Sequence, residues 1–199
     1  METSKENIIK AYNIAKETGA DSTCKVLEAI YPDIDFTPRD NRPVTERIKT
    51  FEDACEELGE DHLYVQMFRD IFNKSEKAGA NVNIDVVSYL KLRIITAALN
   101  EGWEPQFTED EWRWYLWFTL WTEEELSSKS EEWKQERHLQ TLGEYVTEYV
   151  GLAYANSNNT PSIPYAHFGS RLCFKSYTLA DYAGKQFINL WMDFCLIRK

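Results

Sequence analysis

The segment GSRLCFKSYTLADYAGKQF, residues 169–187, brings several chemically useful residue types together. Gly184 and Lys185 would suit a phosphate-binding loop if more glycines preceded them and a hydroxyl residue followed, but the next residue is glutamine. Cys173 and His167 would suit a nucleophilic site, but no third partner is evident, and apolar residues flank Cys173. The segment therefore predicts a strand with a buried thiol, leading into an amphipathic helix.

Other reactive groupings are weak. The three histidines and four cysteines show neither Cys-x-x-Cys nor His-x₃-His spacing, which argues against structural zinc. The many carboxylates stand in runs such as EELGED and TEEEL, which are typical of solvated helix ends. The sequence thus assigns no catalytic, cofactor-binding or metal-binding residue and predicts no cofactor. An enzyme of unknown class stays an alternative, with a cleft between the two halves of the chain as its site.

A strictly alternating aromatic segment, WRWYLWFTLW, begins at Trp112 and predicts a strand. One face carries a basic residue and aromatics that could lie near two cations from the opening segment. Together they form the candidate aromatic and basic surface, which comprises Arg113, Tyr115, Trp117, Trp121, Arg171 and Lys175. Such residues stack single-stranded nucleic acid or anchor a protein partner. The competing interpretation is that a helix covers this face and places the aromatics in the core.

The charge of −11 is unevenly distributed. Residues 1–100 carry 13 basic and 18 acidic residues, residues 101–148 carry 4 and 13, and residues 149–199 carry 5 and 2. The whole chain should repel nucleic acid at long range, so only the C-terminal quarter could bind it. The middle region instead suits a basic protein partner. Its candidate partner-binding residues are Glu123, Glu124, Glu125, Glu131 and Glu132.

The elements that position these residues change along the chain. Helical periodicity dominates residues 1–102, and IDVVSYLKLRIITAALNEG has enough apolar residues to lie centrally. Residues 103–199 predict a small antiparallel sheet covered by a long C-terminal helix, with an acidic, helical insertion at about 122–164; NSNNTPSIP at its end reads as a loop. The predicted class is α+β. Whether the two halves share one core stays open.

No apolar run approaches the roughly 18 residues that span a bilayer. The first residues, METSKENIIK, contain no long apolar stretch of the kind found in secretory signals. With widely spaced cysteines that suggest no disulfide framework, this predicts a cytosolic protein with no membrane association.

Three blocks, TERIKTFEDACEELG, LKLRIITAALNEGWEPQF and GSRLCFKSYTLADYAGKQF, resemble segments of uncharacterised phage and prophage proteins of gut Bacteroidetes. In that group an aromatic strand, a G-S-R-L-C-F-K-[ST] strand and a helix close the chain. The resemblance covers about half of the sequence and says nothing about residues 122–164, which look like an insertion. It implies a phage-encoded protein in the bacterial host cytoplasm or the virion, and no site residue.

Three hypotheses follow. The first is a non-enzymatic interaction protein that binds a host or phage protein through the acidic residues or the exposed aromatics. The second is a nucleic-acid-binding accessory protein that uses Trp117, Arg171 and Lys175. The third is an enzyme of unknown class. The first is favoured, because the sequence lacks the residue patterns that the competing chemistries would require.

Overall fold

The computed structural model describes residues 5–34, 36, 42–78, 83–106, 108, 110–143, 148–161 and 170–196. The chain divides into two compact units, Met1–Arg42 and Pro43–Lys199. The boundary predicted near residue 102 does not coincide with this division. His167 lies outside the described residues, as do residues 162–164 at the end of the predicted insertion.

The first unit is built on helices α1 (Lys5–Glu17) and α2 (Asp21–Ile30). Its buried residues are Ile8, Tyr12, Ala15, Cys24 and Phe36. The rings of Tyr12 and Phe36 stack with their centroids 4.4 Å apart. The face of α1 that packs is thus the one that carries Ile8, Tyr12 and Ala15.

The second unit begins with helices α3 (Val44–Arg47), α4 (Phe51–Leu58), α5 (Leu63–Ala78) and α6 (Ile84–Leu99). Helix α6 is central, as its apolar pattern predicted. Leu92, Ile94, Ala98 and Leu99 on this helix have no exposed surface. Residues on both sides of position 102 therefore belong to one hydrophobic cluster, from Val44 to Trp191.

The sheet of the second unit consists, in the described residues, of β1 (Trp112–Thr122), β2 (Gln140–Thr141) and β3 (Tyr149–Pro161). All pairs are antiparallel, and β3 lies between β1 and β2. The aromatic strand is therefore where the alternation predicted it. With the helices that precede and follow the sheet, this confirms the α+β class.

In its described residues, the predicted insertion is helical only in its first part, in α7 (Glu123–Ser127) and α8 (Glu131–Glu136). Residues 149–155 were predicted as helix and residues 156–161 as loop, and both predictions were wrong because these residues form β3. Pairing along the whole length of β1 overrides the weak local preference of an Asn-rich segment.

The prediction that SRLCFKS forms a strand was also wrong. Ser170–Leu172 is a short 3-10 helix, and Phe174 pairs with Trp114 through a single bridge. The long C-terminal helix is two helices, α9 (Tyr177–Gln186) and α10 (Ile188–Cys195), with Phe187 between them. Ser176 caps α9 by accepting a hydrogen bond from the backbone of Leu179.

Candidate functional site

The candidate aromatic and basic surface is not exposed as a whole. Arg113 is 3% exposed, and its guanidinium donates to Glu111 at 2.9 Å and to the Gln106 carbonyl at 2.8 Å. Tyr115 is also buried, whereas Trp117 is 55% exposed. A continuous stacking platform along this face of β1 is therefore absent, because two of its members lie in the interior.

Trp121 lies at the end of β1, just before the helices that carry the acidic residues. Its ring meets that of Trp133 edge-on, with centroids 5.1 Å apart. The Lys129 ammonium lies 4.8 Å from the Trp121 ring centroid and 5.3 Å from that of Trp133. These contacts hold α8 against the end of β1.

The two cations predicted to join the surface differ in their surroundings. The Lys175 ammonium contacts the Glu101 carboxylate at 2.9 Å, which neutralises its charge locally. Arg171 is exposed, and its side chain makes no ion pair with the described residues. A nucleic-acid surface formed by these residues would thus have little positive charge of its own.

The acidic residues stand in the first turns of two capped helices. The Thr122 hydroxyl accepts a hydrogen bond from the Glu125 backbone, and the Glu125 carboxylate accepts one in return from the Thr122 backbone, a capping box. The Ser130 hydroxyl caps α8 by accepting a hydrogen bond from the Trp133 backbone. The helix dipole stabilises carboxylates in these first turns, and the caps fix the backbone positions that carry the glutamates.

We use the name acidic surface for the exposed residues Glu123, Glu124, Glu125, Glu131 and Glu132. The hydrogen bond from the Thr122 backbone lowers the pKa of Glu125. A hydrogen bond from its own backbone lowers that of Glu132. Glu131 pairs with Lys134 at 2.7 Å, but Glu123, Glu124 and Glu132 make no ion pair with the described residues. The acidic surface therefore keeps most of its negative charge.

A pocket of about 130 Å³ lies between α5, α6 and the segments around residues 104 and 172. Sequence patterns did not predict this pocket, because its walls come from four separate parts of the chain. The side chains that matter for its chemistry are Tyr64, Arg93, Thr96, Trp103, Glu104 and Arg171. Tyr64 and Arg93 were not singled out by any motif.

Two thiols of the second unit, those of Cys55 and Cys173, are buried rather than reactive, whereas Cys195 is exposed. Cys173 is 1% exposed, and burial raises its pKa to about 11. Burial also raises the pKa of Cys55 to about 11. Since the thiolate is the nucleophile, both are protonated at neutral pH, and Cys173 is the core thiol that the sequence predicted.

Within the described ranges, no group of three or more His, Cys, Asp or Glu residues is arranged to hold a metal ion. In the same residues, no helix combines the length and apolarity that crossing a bilayer requires. The chain matches no family model, no curated protein and no solved structure.

Proposed function

We propose that the chain is a non-enzymatic interaction protein whose acidic surface binds a basic protein partner. The observation that carries the proposal is the set of exposed glutamates held by the capped helices α7 and α8. Residues 123–136 contain six glutamates and two lysines, so neighbouring cations cannot neutralise them. Charge held in a fixed geometry favours association with a complementary surface.

Trp117 adds an exposed aromatic side chain on the strand that leads into α7. Tryptophan is over-represented among residues that dominate binding energy. The resemblance to phage and prophage proteins suggests the setting, a host or phage protein encountered in the bacterial cytoplasm or in the virion. Nucleic acid is the less favoured partner, because Arg113 and Tyr115 are buried and Lys175 is paired.

The test is an affinity capture from infected bacterial lysate with the triple variant Glu123→Lys, Glu124→Lys and Glu132→Lys. Glu125 is left unchanged because its carboxylate completes the capping box. We expect wild-type protein to retain a basic partner after nuclease treatment. The triple variant should lose about tenfold or more in affinity for that partner, and added salt should weaken wild-type binding.

The matched control makes the same change in charge at exposed glutamates elsewhere, Glu17→Lys, Glu46→Lys and Glu56→Lys. It should bind as wild type does. Equal retention by the wild type and the acidic-surface variant would refute the proposal. Capture that disappears with nuclease would favour nucleic acid instead.

A further inference from the structure

Two arginines that line the pocket lack carboxylate partners. Arg47, Arg69 and Arg113 each contact at least one glutamate. Arg93 and Arg171 make no ion pair with any described residue, although the chain has 33 acidic and 22 basic residues. In so acidic a protein, neighbouring arginines without carboxylates leave positive potential concentrated in a concave site.

Two hydrogen bonds to uncharged groups hold the Arg93 side chain in place, so its positive charge is not neutralised. Its Nη1 donates to the Arg171 carbonyl at 2.6 Å, and its Nη2 donates to the Tyr64 hydroxyl. The guanidinium carbon lies 4.4 Å from the Tyr64 ring centroid. Because a guanidinium has five N–H groups, three donors remain on a side chain that is already ordered.

The rest of the pocket suits a small anionic group. A volume of about 130 Å³ equals roughly four water molecules, enough for a phosphate or a carboxylate with a short carbon chain. The aromatic side chains of Trp103 and Tyr64 form part of the pocket wall. Thr96, also in the wall, is 4% exposed, and its Oγ1 has no hydrogen-bond partner among the described residues. A polar ligand atom or a water molecule in the pocket would supply one.

We propose that this pocket binds a small molecule through a phosphate or carboxylate group, with Arg93 and Arg171 as the anion-binding residues. Guanidinium groups recognise both anions through paired hydrogen bonds. Among the described residues, the exposed Glu104 is the one carboxylate in the pocket lining, and it makes no ion pair with either arginine. The site is separate from the acidic surface, so it provides a binding activity beyond the proposed function.

The test is a nuclear magnetic resonance titration of the full chain with inorganic phosphate, and in a second arm with acetate. Sodium chloride keeps the ionic strength constant. The readout is the indole N–H signal of Trp103, assigned with Trp103→Phe. We expect a saturable shift of this signal with at least one of the two anions. No shift with either anion would overturn the proposal.

Arg171→Gln is the main variant, since its exposed side chain has no described hydrogen bond or ion pair to lose and the fold should be kept. Its affinity for the anion should fall about fivefold or more, and that of Arg93→Gln further still. The control is Lys74→Gln, which removes one positive charge at a side chain 79% exposed on α5. It should bind as wild type does.

A Trp103 shift that persists unchanged in Arg171→Gln and Arg93→Gln would also overturn the proposal. The triple variant of the acidic surface should keep its anion binding. Loss of partner binding and loss of anion binding are therefore separate results, and either proposal can fail alone.

Discussion

At the scale of single residues, close packing leaves no room for a side chain at Gly184. A Cβ atom at this position would lie 2.6 Å from Cε2 of Tyr154 and 3.0 Å from Cδ2 of Leu116. Tyr154 is buried, and its hydroxyl lies 2.7 Å from that of Ser157, so the ring has little freedom to move. A glycine in a helix is therefore retained here because α9 approaches the sheet closely.

Gly184→Ala should destabilise the protein by about 1–2 kcal/mol, because overpacking outweighs the gain in helix propensity. Thermal unfolding followed by circular dichroism measures the change. The matched control is Gly143→Ala, where a Cβ would meet nothing within 4 Å. If both variants unfold at the wild-type temperature, the close approach of α9 to the sheet is not as described.

Single residues also show which features could be predicted from the sequence and which could not. Periodicity located the helix faces and the alternation of β1, because these patterns are local. It also favoured a buried Cys173. It did not detect the pocket, since Tyr64, Arg93 and Arg171 are brought together only by the packing of α5, α6 and the segment before α9. It grouped Arg113 with Trp117, although a neighbouring carboxylate, Glu111, holds Arg113 inside.

At the scale of elements, the end of α6 joins several parts of the second unit. The Asn100 side chain donates to the Cys173 carbonyl at 2.9 Å and accepts from the Lys175 backbone at 3.1 Å. The adjacent Glu101 contacts both Lys175 and Arg47 at 2.9 Å. The turn after α6 therefore fixes the segment before α9 and the end of α3 by polar contacts as well as by packing.

The Glu101 contacts predict a pH-dependent contribution to stability. The hydrogen bond from Lys175, with the nearby Arg47, lowers the pKa of Glu101 below its usual value. A depressed carboxyl pKa stabilises the folded state above the unfolded pKa, and this stabilisation is lost as the pH falls through the folded pKa. Glu101→Gln should therefore be less stable than wild type at neutral pH. The difference should begin to shrink as the pH falls through the ordinary glutamate pKa of about 4.3 and disappear once the carboxyl is protonated in the folded state as well.

Urea unfolding of both proteins across this pH range measures the effect. The partly exposed pair is screened by solvent, so a modest difference is expected. Glu46→Gln, at an exposed residue without an ion pair to the described residues, provides the control. A difference between wild type and Glu101→Gln that stays constant with pH would contradict the assignment.

At the scale of the whole molecule, the two compact units have separate hydrophobic clusters. One cluster lies entirely within residues 1–42, and another connects residues 44–191. The second cluster joins α4 and α6 to α9 and α10, so the change from helical to mixed composition near residue 102 is not a boundary between cores. Composition indicates where element types change, whereas the boundary of a core depends on contacts that composition does not record.

A chain of residues 43–199 should therefore fold alone, because its cluster is complete without the first unit. Chains of residues 43–102 and 103–199 should each lack a cooperative unfolding transition, because cutting at 102 divides the shared cluster. Thermal unfolding of the three chains tests this directly. A cooperative transition in both pieces cut at 102, or none in residues 43–199, would favour the division predicted from composition.

The order of the strands along the chain also means that β1 is synthesised before the strand that pairs with it. β1 pairs with β3, which is completed about 40 residues later, or roughly 2–8 seconds at typical rates of synthesis. During that interval an aromatic strand with no partner is a template for pairing between chains. Acidic residues adjoin it at both ends, Asp110 and Glu111 before it and Glu123 to Glu125 after it. Charges at the ends of such a strand disfavour aggregation, so these carboxylates should limit pairing between nascent chains during synthesis.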